Sequence, residues 1–233
     1  MNIALILSGG VGSRMRSDGF PKQYIAVNGK PILMYTLEKF QSCPVIDKIV
    51  IVADPAWQAD IRAWLAQENI TKFADFALPG TSRQGSILNG LEVCMTLAAE
   101  NTDGVIIHDG VRPLVNHALI ADCLAALKDH DGCMPVLPVT DTTYMSEDGK
   151  HISSLLDRST LFAGQSPETF RLQPYYEINK NASAEELENT RGTTEIAYKH
   201  GMDIRLIPGD YGNFKLTTPT DLDRFRTVLE DKK

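Results

Sequence analysis

Short apolar runs rich in β-branched residues alternate with helix-like segments along most of this 233-residue chain. In the helix-like segments apolar side chains recur three or four positions apart, which is the spacing of one helix face. This alternation predicts βαβ units, and therefore an α/β fold with a mostly parallel sheet and helices on both faces. The predicted strands are Asn2–Leu7, Lys48–Ala53, Phe73–Leu78, Gly104–His108, Cys133–Pro138 and Ile204–Pro208.

The helix that closes the chain has clear start signals. Thr218 suits the N-cap, Pro219 the first helical position, and Asp221 follows three residues after the cap. Leu222 and Phe225 then share one face of the predicted helix. We therefore expect this last helix to pack on the body of a single domain that spans residues 1–233.

Composition argues against several classes of protein. The formal charge of −7, without any block of Lys or Arg, disfavours a nucleic-acid or anionic-membrane surface. No run approaches the ~18 apolar residues of a membrane span, and no basic leader precedes an apolar region. The four cysteines are too irregularly spaced for a zinc or redox motif. They are typical of core thiols in a reducing compartment, so we expect a cytoplasmic protein.

A glycine-rich turn follows the first predicted strand, at residues 8–14, and Lys22 comes one short loop later. Glycines let backbone N–H groups point at an anion, while Arg14 and Lys22 can reach the same charge. The segment therefore predicts a site for the phosphates of a nucleoside triphosphate. A plain tight turn is the alternative. The turn matches neither the P-loop nor the dinucleotide fingerprint, which disfavours a nicotinamide enzyme.

Polar residues also follow other predicted strands, at the sheet edge where α/β proteins bind ligands. Asp109 is placed to hold a divalent cation that bridges phosphate oxygens, although an ion pair with Arg112 is an alternative. Lys215 follows the last strand, where alone it would be a solvated lysine. Residues 80–86 offer a second polar lip that either reads a base or ribose or only caps a helix.

Residues 139–163 break the α/β pattern. They contain Asp148-Gly149, a turn signal, between two segments that can pair as strands. An isolated hairpin buries little of its own surface. We therefore expect a projecting β-arm that packs on a second subunit, giving a homodimer.

Taken together, the motifs resemble the polyol-phosphate cytidylyltransferase family, which includes 2-C-methyl-D-erythritol 4-phosphate cytidylyltransferase and ribitol-5-phosphate cytidylyltransferase. The likeness runs nearly from end to end of the chain. It rests on Gly-x-Gly-x-Arg-Met with Pro21-Lys22-Gln23-Tyr24, Gly80 through Ser86 with Gly90-Leu91, His108-Asp109-x-x-Arg112-Pro113, Pro138-Val-x-Asp141-Thr142, Asp157-Arg158-x-x-Leu161 and Asn213-x-Lys215-x-Thr217.

The resemblance implies a Rossmann-like, GT-A-like nucleotidyltransferase fold and roles by position. Arg14, Lys22 and Lys215 would be catalytic, surrounding the CTP phosphates. The remaining CTP-binding residues would be Ser8, Gly9, Gly10, Gly12, Gly80, Arg83 and Ser86, with Gly80, Arg83 and Ser86 near cytosine and ribose. The acceptor would be held by Asp109, Arg112, Thr142, Ser166 and Thr194, with Arg158 from the neighbouring subunit's arm.

The reaction that the resemblance implies is attack of a small polyol phosphate on the α-phosphorus of CTP, with pyrophosphate leaving. Mg²⁺ would serve as a clamp on the phosphates, with Asp109 as its protein ligand.

Two departures from the isoprenoid branch lie on the acceptor side. The chain has Gln165-Ser166-Pro167-Glu168 and Thr194-Glu195 where that branch usually has Gln-Thr-Pro-Gln and Thr-Asp. Together with Gly209-Asp210-Tyr211-x-Asn213 they favour ribitol 5-phosphate slightly over methylerythritol phosphate. Two other readings stay open, a sugar-1-phosphate nucleotidyltransferase using another nucleotide and a non-catalytic nucleotide-binding dimer.

Overall fold

A computed structural model describes residues 1–10, 20–98 and 104–231 of the chain. Its strands are β1 (Asn2–Leu7), β2 (Ala26–Val27), β3 (Lys30–Pro31), β4 (Lys48–Val52), β5 (Phe73–Ala77), β6 (Gly104–Asp109), β7 (Gly132–Pro138), β8 (Tyr144–Met145), β9 (Ser154–Leu155), β10 (Phe162–Gly164), β11 (Glu168–Arg171) and β12 (Ile204–Pro208). The helices are α1 (Ile32–Ser42), α2 (Pro55–Gln67), α3 (Arg83–Leu97), α4 (His117–Ala125), α5 (Leu172–Asn181), α6 (Ala184–Asn189), α7 (Thr193–Lys199) and α8 (Pro219–Glu230).

The predicted α/β architecture is confirmed. Strand β1 pairs in parallel with both β4 and β6, and β4 pairs in parallel with β5. Strand β12 extends the sheet by pairing in parallel with β7. The carboxyl ends of β1, β4 and β6 therefore meet at one edge of the sheet, where ligands bind in folds of this kind.

Two short antiparallel strands of the central sheet were not predicted. Strand β11 pairs with β6 on one side and β7 on the other, and β10 pairs with the last residues of β7. Their few residues do not generate a periodic pattern long enough to recognise. Strand β11 begins at Glu168, so it brings the Gln165–Glu168 stretch to the central strands.

The sheet is covered by a hydrophobic layer on each face. Ala4 and Ile6 of β1 belong to the layer that includes α1, while Ile3 and Leu5 belong to the layer that includes α3. All four side chains are fully buried. Full burial of a side chain such as Leu5 stabilises the fold by roughly 2 kcal/mol, so the central strands form a rigid support for the loops at their ends.

The start of α8 agrees with its sequence signals. The Thr218 hydroxyl accepts from the N–H of Asp221, and the Asp221 carboxylate accepts from the N–H of Thr218, which closes a capping box. Leu222 and Phe225 pack with Leu216 in a third cluster of buried residues. The packing of α8 therefore fixes the segment that carries Lys215.

The β-arm contains a hairpin in which β8 and β9 pair antiparallel. The Asp148-Gly149 turn lies inside a longer connection, residues 146–153. There the Asp148 carboxylate accepts from the N–H groups of Lys150 and His151, and Gly149 has a φ of +70°. Several apolar side chains of the arm are exposed in the single chain, namely Tyr144, Met145, Ile152, Leu155 and Phe162.

All four cysteines are unpaired and buried, as expected for core thiols. Among the helices of the described ranges, none is both long and apolar enough to cross a bilayer.

Candidate active site

A cavity of about 520 Å³ lies at the carboxyl ends of β1, β4 and β6. Its walls include Gly9 and Gly10 of the glycine-rich turn, residues 80–83 and Ser86 of the lip, and Asp109. Three cationic side chains, Lys22, Arg83 and Lys215, also line it. The cavity therefore combines backbone N–H groups with positive charge, which suits a phosphorylated ligand.

The segment that carries Lys22 holds the start of the glycine-rich turn through hydrogen bonds. The Gln23 side-chain amide donates to the backbone oxygens of Ser8, at 2.6 Å, and Gly10, at 2.9 Å. The Tyr24 hydroxyl donates to the same Ser8 oxygen at 3.1 Å. Ser8 is buried and its own hydroxyl bonds to Tyr24, so it supports the turn. The predicted ligands Gly12 and Arg14 lie outside the described residues.

Lys22 and Lys215 approach the cavity from distant parts of the chain. Lys22 Nζ donates to the backbone oxygen of Leu216 at 3.1 Å, and Lys215 Nζ lies 3.0 Å from Asp109 Oδ2. Two of the three cations that the sequence assigned to the triphosphate are thus brought together at one wall.

Asp109 carries the densest cluster of charges in the site. Its Oδ2 lies 3.2 Å from Arg112 Nε as well as 3.0 Å from Lys215 Nζ, and its Oδ1 lies 3.5 Å from an Arg83 nitrogen. Burial alone would raise the pKa of Asp109, but the charges of Lys215, Arg83 and Arg112 outweigh burial and lower it. Asp109 is therefore ionised at neutral pH, and it aligns three cations.

Arg83 lies at the first position of α3 and reaches across the cavity. One guanidinium nitrogen lies between Asp109 Oδ1 at 3.5 Å and Glu168 Oε1 at 3.7 Å, and another donates to the Thr193 hydroxyl. The sequence placed Arg83 near cytosine and ribose. In the structure its charged end joins Asp109 and Glu168.

The lip at residues 80–86 is a tight turn closed by hydroxyl groups. The Ser86 hydroxyl accepts from the N–H of Gly80 at 2.9 Å and donates to the backbone oxygen of Ser82 at 2.9 Å. A Cβ atom on Gly80 would lie 2.5 Å from the carbonyl carbon of Gly85. Only glycine fits there without moving backbone, so Gly80 sets the shape of this wall.

A chain of hydrogen bonds through His108 and Ser166 reaches the backbone of Asp109. The Arg112 backbone oxygen can only accept, so the His108 Nε2, 3.1 Å away, must carry the proton. His108 Nδ1 then accepts from the Ser166 hydroxyl at 3.0 Å, and the Ser166 oxygen accepts from the N–H of Asp109 at 3.3 Å. Burial lowers the pKa of His108 to about 4, which keeps this neutral tautomer.

Ser166 was predicted to hold the acceptor, but the structure places it differently. Its side chain is buried, and its hydroxyl is already used by His108 and Asp109. Its backbone oxygen accepts from Asn213, whose own backbone oxygen accepts from Arg112. Ser166 thus helps to position Asp109 and Arg112.

The other predicted acceptor residues fall into two groups. Thr194 is buried beside the site, and its N–H and hydroxyl both donate to Glu168 Oε2, at 2.9 and 2.6 Å. Thr142 and Arg158 are exposed on the β-arm, and Arg158 donates to the backbone oxygen of Thr140. Within one chain these two residues do not line the cavity. Arg158 was predicted to act from a neighbouring arm, and the role of Thr142 stays a prediction.

The residues around Asp109 do not form a protein cage for a metal ion. Across residues 1–10, 20–98 and 104–231 there is no group of three His, Cys, Asp or Glu side chains suited to hold one. Asp109 already faces three cationic side chains, which disfavour a further cation beside it. The role of Asp109 as a metal ligand remains a prediction that this geometry does not favour.

Residues that sequence reasoning did not assign to the site also shape it. Gln23 holds the glycine turn, Thr193 and Glu168 hold Arg83, and Asn213 joins Arg112 to Ser166. Gln23 and Asn213 lie inside the motifs on which the resemblance rests, so their position was a usable signal. Thr193 carried no such signal.

Comparisons with known proteins identify the family of the chain. Residues 2–231 match the family described as IspD, 2-C-methyl-D-erythritol 4-phosphate cytidylyltransferase. The chain is 31% identical to a ribitol-5-phosphate cytidylyltransferase of Streptococcus agalactiae serotype Ia, over 100% of this chain and 97% of that protein. It is 38% identical to a 2-C-methyl-D-erythritol 4-phosphate cytidylyltransferase of Rubrobacter xylanophilus, over 97% of this chain and 94% of that protein.

Solved structures share the fold. A crystal structure of 4-diphosphocytidyl-2C-methyl-D-erythritol synthase is 25% identical, with a TM-score of 0.80 and 98% of each chain covered. The corresponding synthase of Anaerococcus prevotii has a TM-score of 0.81 at 22% identity, over 98% of this chain and 96% of that one. The resemblance found in the motifs is thus confirmed, and the chain belongs to the 2-C-methyl-D-erythritol 4-phosphate cytidylyltransferase family.

Proposed function

We propose that this protein transfers CMP from CTP to a small polyol phosphate and releases pyrophosphate. The observation that carries the proposal is the convergence of Lys22, Arg83 and Lys215 with the glycine-rich turn around one cavity. A cavity with three cations and one buried carboxylate suits two anionic substrates better than a neutral one. The names of the relatives supply the nucleotide and the class of acceptor.

The chemistry follows from charge. A phosphate oxygen of the acceptor attacks the α-phosphorus of CTP and forms a new P–O bond. The bond from that phosphorus to the oxygen bridging the α- and β-phosphates breaks, and pyrophosphate leaves with the bonding electrons. The attacking oxygen is already ionised at neutral pH, so the reaction needs no general base. The burial of His108 as a neutral side chain agrees with this.

The protein's contribution is to hold positive charge where negative charge accumulates. Lys22 and Lys215 would face the triphosphate, and the Asp109 carboxylate keeps Lys215 and Arg112 aligned before substrate arrives. Such preorganised charge requires little rearrangement during the reaction. Arg14 belongs to the same proposal through the motif alone.

Magnesium would enter as part of the nucleotide substrate. A triphosphate supplies the oxygen ligands that Mg²⁺ prefers, whereas the described residues offer no cage of their own. We therefore propose MgCTP as the substrate. Titration with EDTA should abolish turnover, and added Mg²⁺ should restore it.

The acceptor is proposed as ribitol 5-phosphate or 2-C-methyl-D-erythritol 4-phosphate. Relatives with each name match nearly the whole chain, including a ribitol-5-phosphate cytidylyltransferase of Vibrio parahaemolyticus at 33% identity over 100% of this chain and 98% of that protein. The charged Glu168 beside the site favours the ribitol compound slightly, since it departs from the isoprenoid motif.

The deciding experiment incubates the protein with CTP, Mg²⁺ and each polyol phosphate separately, and measures pyrophosphate. We expect release with one of the two acceptors and identification of the CDP-polyol by mass spectrometry. A panel with other nucleoside triphosphates and sugar 1-phosphates tests the alternative that the protein is a sugar-1-phosphate nucleotidyltransferase. CTP binding without pyrophosphate from any acceptor would instead favour the non-catalytic module.

We also propose a cytoplasmic homodimer formed through the β-arm. The exposed apolar side chains of Tyr144, Ile152, Leu155 and Phe162 support this, because burying them against a second copy would be favourable. Light scattering should give twice the chain mass of 25.7 kDa. Ile152→Asp should shift the protein toward the monomer. A parent protein with the mass of a single chain would refute the dimer.

A further inference from the structure

We infer that Glu168 positions the site for the acceptor. It does so by holding the Arg83 guanidinium beside Asp109. This rests on the proposed function and deepens it. Glu168 itself does not line the cavity, whereas Arg83 does. The buried Glu168 carboxylate would fix the cation that meets the acceptor phosphate.

The Glu168 side chain is fixed on its other side. It is only 10% exposed, and its Oε2 accepts from both the N–H and the hydroxyl of Thr194, at the start of α7. Its backbone belongs to β11, between two strands of the central sheet. The carboxylate therefore cannot turn away from the site without breaking two hydrogen bonds.

The other oxygen of Glu168 faces Arg83. Glu168 Oε1 lies 3.7 Å from the guanidinium nitrogen that also lies 3.5 Å from Asp109 Oδ1. The Thr193 hydroxyl binds a second guanidinium nitrogen. Arg83 is thus held from three directions, although its side chain remains 34% exposed.

The charges explain why Asp109 alone would not suffice. Lys215 and Arg112 approach Asp109 more closely than Arg83 does, at 3.0 and 3.2 Å against 3.5 Å. Asp109 is thereby shared among three cations. Glu168 gives Arg83 a second counter-charge, which keeps the guanidinium at this end of the cavity in the absence of substrate.

The position of Arg83 assigns it to the acceptor. A guanidinium matches the oxygens of a phosphate with two parallel N–H bonds. Because Arg83 is drawn toward Asp109, Glu168 and Thr193, it would meet the phosphate of the polyol rather than the cytosine ring. Glu168 would therefore govern acceptor binding and leave CTP binding largely unchanged.

Glu168→Gln tests the inference, because glutamine keeps an oxygen for Thr194 but removes the charge that holds Arg83. We expect the KM for the preferred polyol phosphate to rise about tenfold, because Arg83 loses one of its two counter-charges. The KM for CTP should stay within about twofold, because the lysines are unchanged. Glu188→Gln is the matched control, since Glu188 is exposed on α6 and lies outside the cavity. It should leave both KM values unchanged.

A second measurement separates the effect through Arg83 from the effect through Thr194. Arg83→Gln should raise the acceptor KM by itself, and adding Glu168→Gln to that variant should then change the KM less than about twofold further. A full additional tenfold increase in the double variant would show that Glu168 does not act through Arg83, and would overturn the inference.

The two proposals fail differently. If the parent protein releases pyrophosphate but Glu168→Gln has an unchanged acceptor KM, or an equal rise in both KM values, the positioning role is wrong and the proposed function stands. If the parent protein releases none with any polyol phosphate, both are wrong. Thermal unfolding of each variant, with a midpoint within about 3 °C of the parent, shows that the fold is intact.

Discussion

Lys215 Nζ lies 3.0 Å from Asp109 Oδ2, and this contact joins the end of strand β6 to the segment that leads into the last helix. Asp109 is buried and ionised, so it fixes the lysine without neutralising the whole site, in which Arg83, Arg112 and Lys22 also carry charge. Asp109 thus holds Lys215, Arg112 and Arg83 in place around one carboxylate.

Asp109→Asn tests this role. The amide has the same shape but no charge, so Lys215, Arg112 and Arg83 lose their shared counter-ion. We expect kcat to fall about a hundredfold because the cations are no longer aligned. The KM for CTP should not rise, since the cavity becomes more positive. Steady-state pyrophosphate release measures both constants. Asp60→Asn on the exposed face of α2 should behave as the parent, and a kcat of Asp109→Asn within threefold of the parent would contradict the role.

Lys22→Ala removes the second lysine that lines the cavity. We expect turnover to fall by about a hundredfold, corresponding to about 3 kcal/mol of lost transition-state stabilisation. Circular dichroism should show an unchanged fold. The control is Lys128→Ala, because Lys128 is exposed and lies outside the cavity. Equal turnover in the two variants would remove Lys22 from the catalytic set.

Gly80→Ala and Gly10→Ala form a contrast within one cavity. A Cβ on Gly80 would lie 2.5 and 2.7 Å from the backbone of Gly85 and Ser86, whereas a Cβ on Gly10 would meet no described atom within 4 Å. We expect Gly80→Ala to raise the Kd for CTP about tenfold or more by displacing the lip. Gly10→Ala should change it much less. Isothermal titration with CTP compares the two, and equal affinities would show that the lip does not contact the nucleotide.

Burial of His108 makes the free energy of unfolding of the protein depend on pH. Its pKa is about 4 in the folded protein, below the ordinary value of 6.5, so the unfolded chain binds the proton more readily. Above pH 6.5 this linkage costs the folded protein nothing. As the pH falls toward 4, the free energy of unfolding decreases by about 3 kcal/mol. Urea unfolding between pH 7 and 4.5 measures it. A His108→Gln variant should show a flatter decline, and a parallel decline in the two proteins would exclude His108 as the source.

The parts of the fold that the sequence predicts well are those with local signals. Thr218, Pro219 and Asp221 define the start of α8 within four consecutive positions, and the structure closes the same capping box. The buried parallel strands are also well predicted, because an apolar run such as Asn2–Leu7 can be recognised in the sequence without knowing which strands pair with it. Asp54 and Pro55 show the same N-cap and first-turn pattern at the start of α2, which was a usable signal.

The parts that could not be predicted depend on contacts between distant residues. Nothing near Arg83 in the sequence indicates that its guanidinium reaches Asp109 and Glu168. Ser166 occupies a motif position that resemblance assigns to the acceptor, yet its hydroxyl is taken up by His108 and Asp109. Motif position identified the neighbourhood of these residues, whereas their individual partners followed from tertiary packing.

The hydrogen bond from Lys22 to the Leu216 oxygen links positions 194 residues apart. During synthesis, a ribosome-bound chain can complete the first parallel strands long before Leu216 emerges. The Leu216 oxygen is then not yet available to Lys22, and the cavity lacks the wall that Lys215 provides. Premature termination before Lys215 should therefore leave a fragment unable to carry out the transfer, however well its N-terminal strands have folded.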